Sequence, residues 1–262
     1  MIVLSEKEII EGTANAIAEH LPKTAETADS VLSTVIGIFD VMLTPFQMLK
    51  IFKDSKMKEF KENLAKKIER IPEEARKDTI DLKVVGPALE ALKYTFLEDD
   101  LREMFENLLA SSIDKREDVF PSFIDIVRQL SSDEAKLLKY LSVNGTDYPL
   151  IDLNYTYDAN DAFDVELSNF TDIGYGVIEK PELISAYLRD LDRFGIIEIQ
   201  TGVYLAEDIV YKKLENHPFI QDRKTKIYKD PGKYEIEKKK FTITDYGKAF
   251  INSCVIDKSK DD

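Results

Sequence analysis

Apolar residues recur at helical spacing through most of the first half of the chain. Ser5 and Glu8 form a capping-box pattern ahead of Ile9, Ile10, Ala14, Ile17, Ala18 and Leu21. That spacing predicts a helix over 6–20, stopped by Pro22. Residues 50–77 are densely charged, with Phe52, Met57, Phe60, Leu64, Ile68 and Ile71 at helical spacing. A solvated amphipathic helix is expected there, broken at Pro72. Gly86-Pro87 is read as opening the next helical region, with Ala88, Leu89, Ala91 and Leu92 apolar. Leu101, Phe105, Leu108 and Leu109 mark the helix after it, and Pro121 starts another with Phe123, Ile124, Val127 and Leu130 inward. The short polar loops between these helices imply antiparallel neighbours. Residues 1–130 therefore read as a helical bundle.

The pattern changes after residue 131. Ser131-Ser132-Asp133-Glu134 is a helix start before Ala135, Leu137, Leu138 and Leu141, and Asn144-Gly145 ends that helix. Ile151, Leu153, Tyr155 and Tyr157 then alternate, as do Phe163, Val165 and Leu167, across a turn at Asp158-Ala159-Asn160-Asp161. This predicts a β-hairpin. Pro181 begins a helix that runs to Phe194 and Gly195, and residues 196–199 read as a strand. Asp230-Pro231-Gly232 reads as the turn of a second hairpin, and Thr244 caps a last helix holding Tyr246, Ala249, Phe250 and Cys254. The fold class is thus mainly α: a helical bundle (1–130), then a winged-helix-like α+β part with an inserted hairpin (131–256), then a charged tail (257–262).

One stretch of the bundle stands apart. Residues 31–49, VLSTVIGIFDVMLTPFQML, carry a single charge, Asp40. Ser33, Gly37, Asp40, Thr44 and Gln47 make one narrow polar stripe, and Pro45 breaks or kinks the helix. The length approaches the roughly 20 residues that span a bilayer. Three readings stay open: a helix buried in the bundle, a helix lying on a membrane, or a span. Asp40 weighs against the last, at a cost of about 3 kcal/mol. The residues that would carry a membrane or switch role are Val35, Ile36, Phe39, Asp40, Met42, Leu43 and Phe46. The lysines that follow, at 50, 53, 56, 58 and 61, suit either an anionic surface or a plain solvated face.

Composition narrows the function classes. With 44% hydrophobic and 33% charged residues, the 262-residue chain is globular and long enough for its own core. A lone cysteine, Cys254, excludes an internal disulfide. The N-terminus has no secretory pattern, so a cytoplasmic location is expected, with any membrane contact at the inner face. The net charge of −14 is poorly matched to non-specific nucleic-acid binding.

Catalytic signposts are absent. His20 and His217 have no ligand partner at metal spacing, and no Walker, dinucleotide or nucleophile-elbow motif occurs. Asp158-x-Asn160 begins like a calcium loop, but Ala162 and Phe163 break that pattern. The acids Asp152, Asp158, Asp161, Asp164, Glu166 and Asp172 read mainly as a solvated face. Cys254 reads as a small buried residue. The second hairpin is basic, with Lys224, Lys226, Lys229, Lys233, Lys238, Lys239 and Lys240 beside Tyr228 and Tyr234. It is the place for a DNA-backbone contact or, in the favoured reading, a protein contact. No cofactor, metal or catalytic residue is expected.

The stretch 87–141 resembles the abortive infection alpha family of bacteria. The parts that carry the resemblance are Leu101 to Ala110 (LREMFENLLA), Pro121-Ser122-Phe123 and Leu130 to Ala135, together with the T-x-x-G-x-x-F ending at Thr244, Gly247 and Phe250. The resemblance implies phage defence, in which an infected cell stops growing or dies before the phage matures. It transfers no catalytic residue. The expectation is a non-enzymatic defence protein acting through a protein partner, itself or a phage component, with the apolar helix as a membrane-active switch. The alternative is a winged-helix DNA-binding regulator.

Overall fold

The computed structural model describes residues 33–39, 54–158, 162–229 and 231–259. The helix expected over 6–20 lies outside them. The chain divides into two compact units, Met1–Ala135 with Ala249–Asp262, and Lys136–Lys248. The described structure is mainly helical with one small antiparallel sheet.

The first unit is built on α1 (Asp54–Glu69), α2 (Leu82–Thr95), α3 (Asp99–Ile113), α4 (Ser122–Gln129) and the start of α5 (Ser132–Leu141). α3 is buried on every side: Leu101, Phe105 and Leu108 are core, and so are the polar Arg102, Glu106, Asn107 and Ser111. Residues 33–39 are helical, and Val35, Ile38 and Phe39 are fully buried. The Phe39 ring lies 5.2 Å from Phe60 and 5.8 Å from Phe96. Such offset aromatic packing adds about 1 kcal/mol per pair to the area buried. This part of the apolar stretch is core.

Two local expectations shift. α2 starts at Leu82, not at Gly86-Pro87, because the Asp81 carboxylate accepts from the Lys83 N–H at 2.9 Å and caps the helix. Pro87 then sits inside the helix, where it gives up one backbone bond. The start of α5 follows the sequence closely. Glu134 N–H donates to Ser131 Oγ at 3.3 Å, and Ser131 N–H donates to Glu134 Oε2 at 2.7 Å, a reciprocal capping box.

The second unit holds a sheet of order β2-β1-β4-β3, with β1 Asp147–Tyr157, β2 Phe163–Phe170, β3 Ile197–Gln200 and β4 Gly232–Ile243. Its helices are α6 (Ile184–Arg193), α7 (Asp208–Glu215) and α8 (Pro218–Arg223). The first hairpin forms as expected, with Thr156 opposite Phe163 and Ile151 opposite Phe170. The second does not. β4 pairs along β1 from Gly232–Tyr157 to Thr242–Asp147, and at its far end with β3. Residues 218–223, ahead of the basic segment, are helical, because His217 caps them and Pro218 fits the first turn. β1 is buried on both faces and takes a partner on each edge.

The T-x-x-G-x-x-F ending has a physical reason. Thr244 Oγ–H donates to the Gly195 carbonyl at 2.6 Å and accepts from the Gly247 N–H at 2.8 Å, capping α9 (Asp245–Phe250). A Cβ at Gly247 would fall 1.9 Å from the Ile196 carbonyl oxygen, so only glycine fits. Phe250 packs edge-on against Phe123, 5.2 Å away. A π turn, Ile251–Val255, follows. There Asn107 Nδ2 donates to the Cys254 carbonyl and Ser111 Oγ to that of Ser253, both at 3.1 Å. Polar side chains of α3 thus satisfy carbonyls that a widened turn leaves open.

Candidate functional site

Of the residues singled out for a membrane or switch role, Val35 and Phe39 are buried and Ile36 is half-buried, while Asp40, Met42, Leu43 and Phe46 lie outside the described residues. No described helix is long and apolar enough to cross a membrane. Lys56, in the cluster after the apolar stretch, pairs with Asp99 at 2.8 Å and Glu59 at 3.1 Å.

The seven lysines of the expected basic hairpin do not form one surface. Lys226 pairs with Glu166 at 2.7 Å, Lys233 with Glu235 at 2.8 Å, Lys240 with Asp147 at 2.6 Å, and Lys238 with Asp208. Lys239 is buried and bonds Asp152 at 2.7 Å. Lys224 is half-buried beyond α8 and Lys229 is exposed. The acidic run of the first hairpin is corrected in part. Asp152 is a buried partner in the sheet, Glu166 pairs with Lys226 and Asp172 with Lys213 at 2.6 Å, while Asp158 and Asp164 are exposed as expected and Asp161 lies outside the described residues.

What the sheet does gather is tyrosine. Tyr155 stacks on Tyr228 with centroids 3.9 Å apart, and Tyr157 and Tyr234 meet Tyr155 edge-on at 5.4 and 5.1 Å. Tyr234 Oη–H donates to the Lys226 carbonyl at 2.8 Å, fixing the loop after α8 on β4. On the other face of the edge strand Phe163 and Val165 are 56% and 54% exposed, and in the loop before Tyr228 Ile227 is 93% exposed. Lys226 and Tyr228, on either side of Ile227, are both anchored on the hairpin. Edge backbone, exposed apolar side chains and rigid tyrosines are the ingredients of a protein contact.

A second candidate lies within the first unit, a cleft of about 170 Å³ between α1 and α3. Its lining includes Glu59, Asn63, Lys67, Arg102, Glu106 and Asp257. Lys67 Nζ is buried and donates to Asn107 Oδ1 at 2.8 Å and to Asp257 Oδ1 at 2.7 Å. Burial pushes the Asp257 carboxyl up, but hydrogen bonds from Lys67 and from the Ser259 N–H and Oγ–H outweigh it and hold it well below the usual carboxylate range. Arg102 donates from Nη1 to the Phe96 carbonyl and Asp99, and from Nη2 to Glu59. Glu106 is 1% exposed, and neither carboxylate oxygen has a hydrogen-bond partner. Burial raises its pKa to about 7, against the pull of Lys67 and Arg102. The nearest cation, Arg102 Nε, is 3.8 Å away and itself lacks an acceptor.

The sequence reading did not pick out this cluster. Its trace is a polar stripe on α3, Arg102 with Glu106 and Asn107 with Ser111, each four residues apart within an apolar helix. Cys254 is fully buried and burial pushes its thiol well above the usual range, which suits packing and not nucleophilic attack. His217 accepts from the Phe219 N–H at 3.3 Å and packs on Tyr175 and Phe170, a structural role. Among the described residues no group of three His, Cys, Asp or Glu is arranged to hold a metal ion.

A mainly helical protein with a capping box at α5 and a Thr-Gly-Phe ending is defined by these elements more than by any catalytic group. Residues 53–254 match the family described as "Abortive infection alpha", and the chain belongs to that family. The family points to a role in abortive infection. A solved structure, of an uncharacterized protein from the hydrocarbon-degrading marine bacterium Alcanivorax borkumensis SK2, is similar at 20% identity and a TM-score of 0.35, covering 49% of this chain and 88% of its own. No curated protein matches the sequence.

Proposed function

We propose that this chain acts in abortive infection as a binding protein and not as an enzyme, through contact with a basic partner protein at the tyrosine-rich end of its sheet. The observation that carries this reading is the exposed pair Phe163 and Val165 on the open edge strand, on the face opposite the stacked tyrosines, with Ile227 exposed in the loop those tyrosines hold. The net charge of −14 favours a basic partner over a second copy of the chain, which it would repel. Asp164, exposed on the open edge strand, adds to that preference. The succession of α6, β3 and β4 supports a winged-helix-like description of this unit, with its sheet end used for protein and not for DNA. The carboxylates that neutralise most of its lysines argue against a phosphate backbone as the ligand.

The test is phage infection of bacteria carrying the wild-type chain or Phe163→Asp with Val165→Asp, at low and high phage-to-cell ratio. Wild-type cultures are expected to survive at the low ratio and collapse at the high one, and the variant to lose protection while keeping its circular dichroism spectrum and melting temperature. Undiminished protection by the folded variant overturns the contact surface. A salt-sensitive gel shift with duplex DNA would replace it with the regulator reading.

A further inference from the structure

β3 and β2 are the edges of the sheet, and the chain treats them unequally. At β3, Thr244 N–H donates to the Ile196 carbonyl at 3.0 Å, so Ile199 turns its main chain outward, and Asp192 Oδ1 accepts from the Ile199 N–H at 3.0 Å. At β2 the direction of the main chain follows from three bonds. Asp158 N–H donates to the Pro231 carbonyl at 3.1 Å and Ile243 N–H to that of Thr146 at 2.9 Å, so the even-numbered residues of β1 face β4. Tyr157 N–H donates to the Ala162 carbonyl at 2.8 Å, so the odd-numbered ones face β2. Asp164, opposite Tyr155, therefore bonds inward. Phe163 and Val165, opposite Thr156 and Asn154, turn their N–H and carbonyl groups away from the sheet. Among the described residues these groups have no partner. Further along β2 the Ser168 carbonyl accepts from Ser185 of α6, so the open edge is the stretch 163–165.

An open strand edge takes up an extended segment by main-chain pairing, and alternate side chains decide which one. Here the two faces of the edge ask for different chemistry. On one, Phe163 and Val165 are apolar and more than half exposed. On the other stands Asp164, exposed and bonded by the Tyr157 hydroxyl at 2.7 Å. The nearby cations are already paired, Lys226 with Glu166 and Lys233 with Glu235. A second copy of the chain would bring its own Asp164 and a net charge of −14 against their like. Resting on the reading of a basic partner at this edge, we infer that the partner enters as an added strand on residues 163–165. It runs antiparallel to β2, as the strands of this sheet do to one another. Its apolar residues lie against Phe163 and Val165, and they alternate with Arg or Lys against Asp164.

The test uses the full chain and a labelled, capped peptide, Val-Arg-Val-Arg-Val-Arg-Val. Fluorescence anisotropy reads its binding, and hydrogen exchange of the Phe163 and Val165 amides in proton–nitrogen spectra reads its place. In an antiparallel register the valine N–H groups point at β2 and the arginine N–H groups point away. Peptides N-methylated on valine or on arginine carry the same charge, so their contrast separates main-chain pairing from attraction to an acidic protein. The parent peptide is expected to bind with a Kd on the order of 0.1 mM and to slow exchange at both amides. Methylation of the valines should weaken binding at least about tenfold, and methylation of the arginines should change it by no more than about twofold. Glutamate in place of arginine should also weaken it at least about tenfold. Equal binding by the two methylated peptides, unchanged exchange at Phe163 and Val165, or undiminished binding of the glutamate peptide overturns the proposal. Val165→Pro removes an outward N–H at an edge, where proline is tolerated, and a folded Val165→Pro chain that still binds overturns it as well. If that variant does not fold, the methylation contrast on the wild type decides alone. The two readings fail separately. Loss of protection in the folded Phe163→Asp, Val165→Asp variant without strand pairing keeps the contact surface and removes the added strand. Strand pairing with undiminished protection in that variant keeps the strand site and removes its part in defence.

Discussion

Each unit buries an acid–base pair, and the two are finished differently. In the second unit Asp152 accepts from Lys239 Nζ at 2.7 Å through Oδ2 and from the Asn169 N–H at 2.6 Å through Oδ1. In the first, Glu106 and Arg102 stand 3.8 Å apart with no hydrogen bond between them. Desolvation penalises both pairs, and only close geometry with satisfied lone pairs offsets it. The difference lies in the supply of donors. Asn169 leaves regular β geometry at a φ of +56°, which turns its N–H toward Asp152. A residue inside a helix such as α3 has no such recourse, because the surrounding N–H groups already serve carbonyls four residues back. A carboxylate there must be served by side chains or by a ligand.

Asp152→Ala breaks the finished pair and is expected to have the largest effect. It leaves Lys239 charged and buried without its carboxylate, at about 3–5 kcal/mol measured by urea unfolding. Adding Lys239→Met should recover most of that loss, since an apolar pair of similar volume needs no donors. A double variant as unstable as the single one would show that the sheet depends on Asp152 for the Asn169 bond alone.

Glu106→Gln sharpens the other side of the comparison through pH. The folded carboxyl is raised to about 7 from its ordinary 4.5, with burial as the largest cause. Between those values the folded state holds a proton that the unfolded state has released. The contribution of Glu106 to stability therefore falls as pH rises through this window, by roughly 3 kcal/mol in all. The glutamine variant lacks that slope. Measured against wild type, it should gain stability steadily from pH 4.5 to pH 8. Parallel profiles would mean that Glu106 is ionised throughout, with its charge met.

What the sequence disclosed and what it hid follow the same division. The capping box at Ser131 and Glu134, the first hairpin and the Thr244 cap are contacts among near neighbours, and their residue types state the geometry. β4 is a strand as its sequence suggests, but its partners, β1 and β3, are set by long-range pairing, while Asp230-Pro231-Gly232 suggests a local hairpin turn. α7 and α8 are short and carry few apolar positions, so their period was too brief to register. The Glu106 cleft brings together Lys67 and Asp257, 190 residues apart. No motif announces such a set. The apolar stretch at 31–49 showed its composition but not its neighbours, and Phe60 and Phe96 supply them for Phe39.

Asp257→Asn opens the one corner of the cleft that is closed. Asp257 is held below the usual carboxylate range because Lys67 and Ser259 favour its charged form over the cost of burial. A depressed folded value contributes stability that is present at neutral pH and lost as pH falls through the acidic range. At pH 7 the asparagine variant should lose about 2 kcal/mol, the value of a hydrogen bond to a charged group. At pH 2 to 3 the difference should narrow. A loss that does not vary with pH would assign Asp257 a packing role and leave Lys67 served by Asn107 alone.

The smallest effect on stability is expected at the open edge of the sheet, and it is informative for that reason. Phe163 and Val165 are more than half exposed, and both belong to the first residues of β2, before Ser185 of α6 donates to the Ser168 carbonyl further along. Converting both to aspartate removes little buried area, so unfolding free energy should change by no more than about 0.5 kcal/mol per site. The added charge should still repel an acidic surface and desolvate badly against an apolar one. Loss of protection at unchanged stability would therefore locate the defect in binding. A comparable drop in melting temperature would instead give these two side chains a share of the core, and the edge of β2 would no longer count as open.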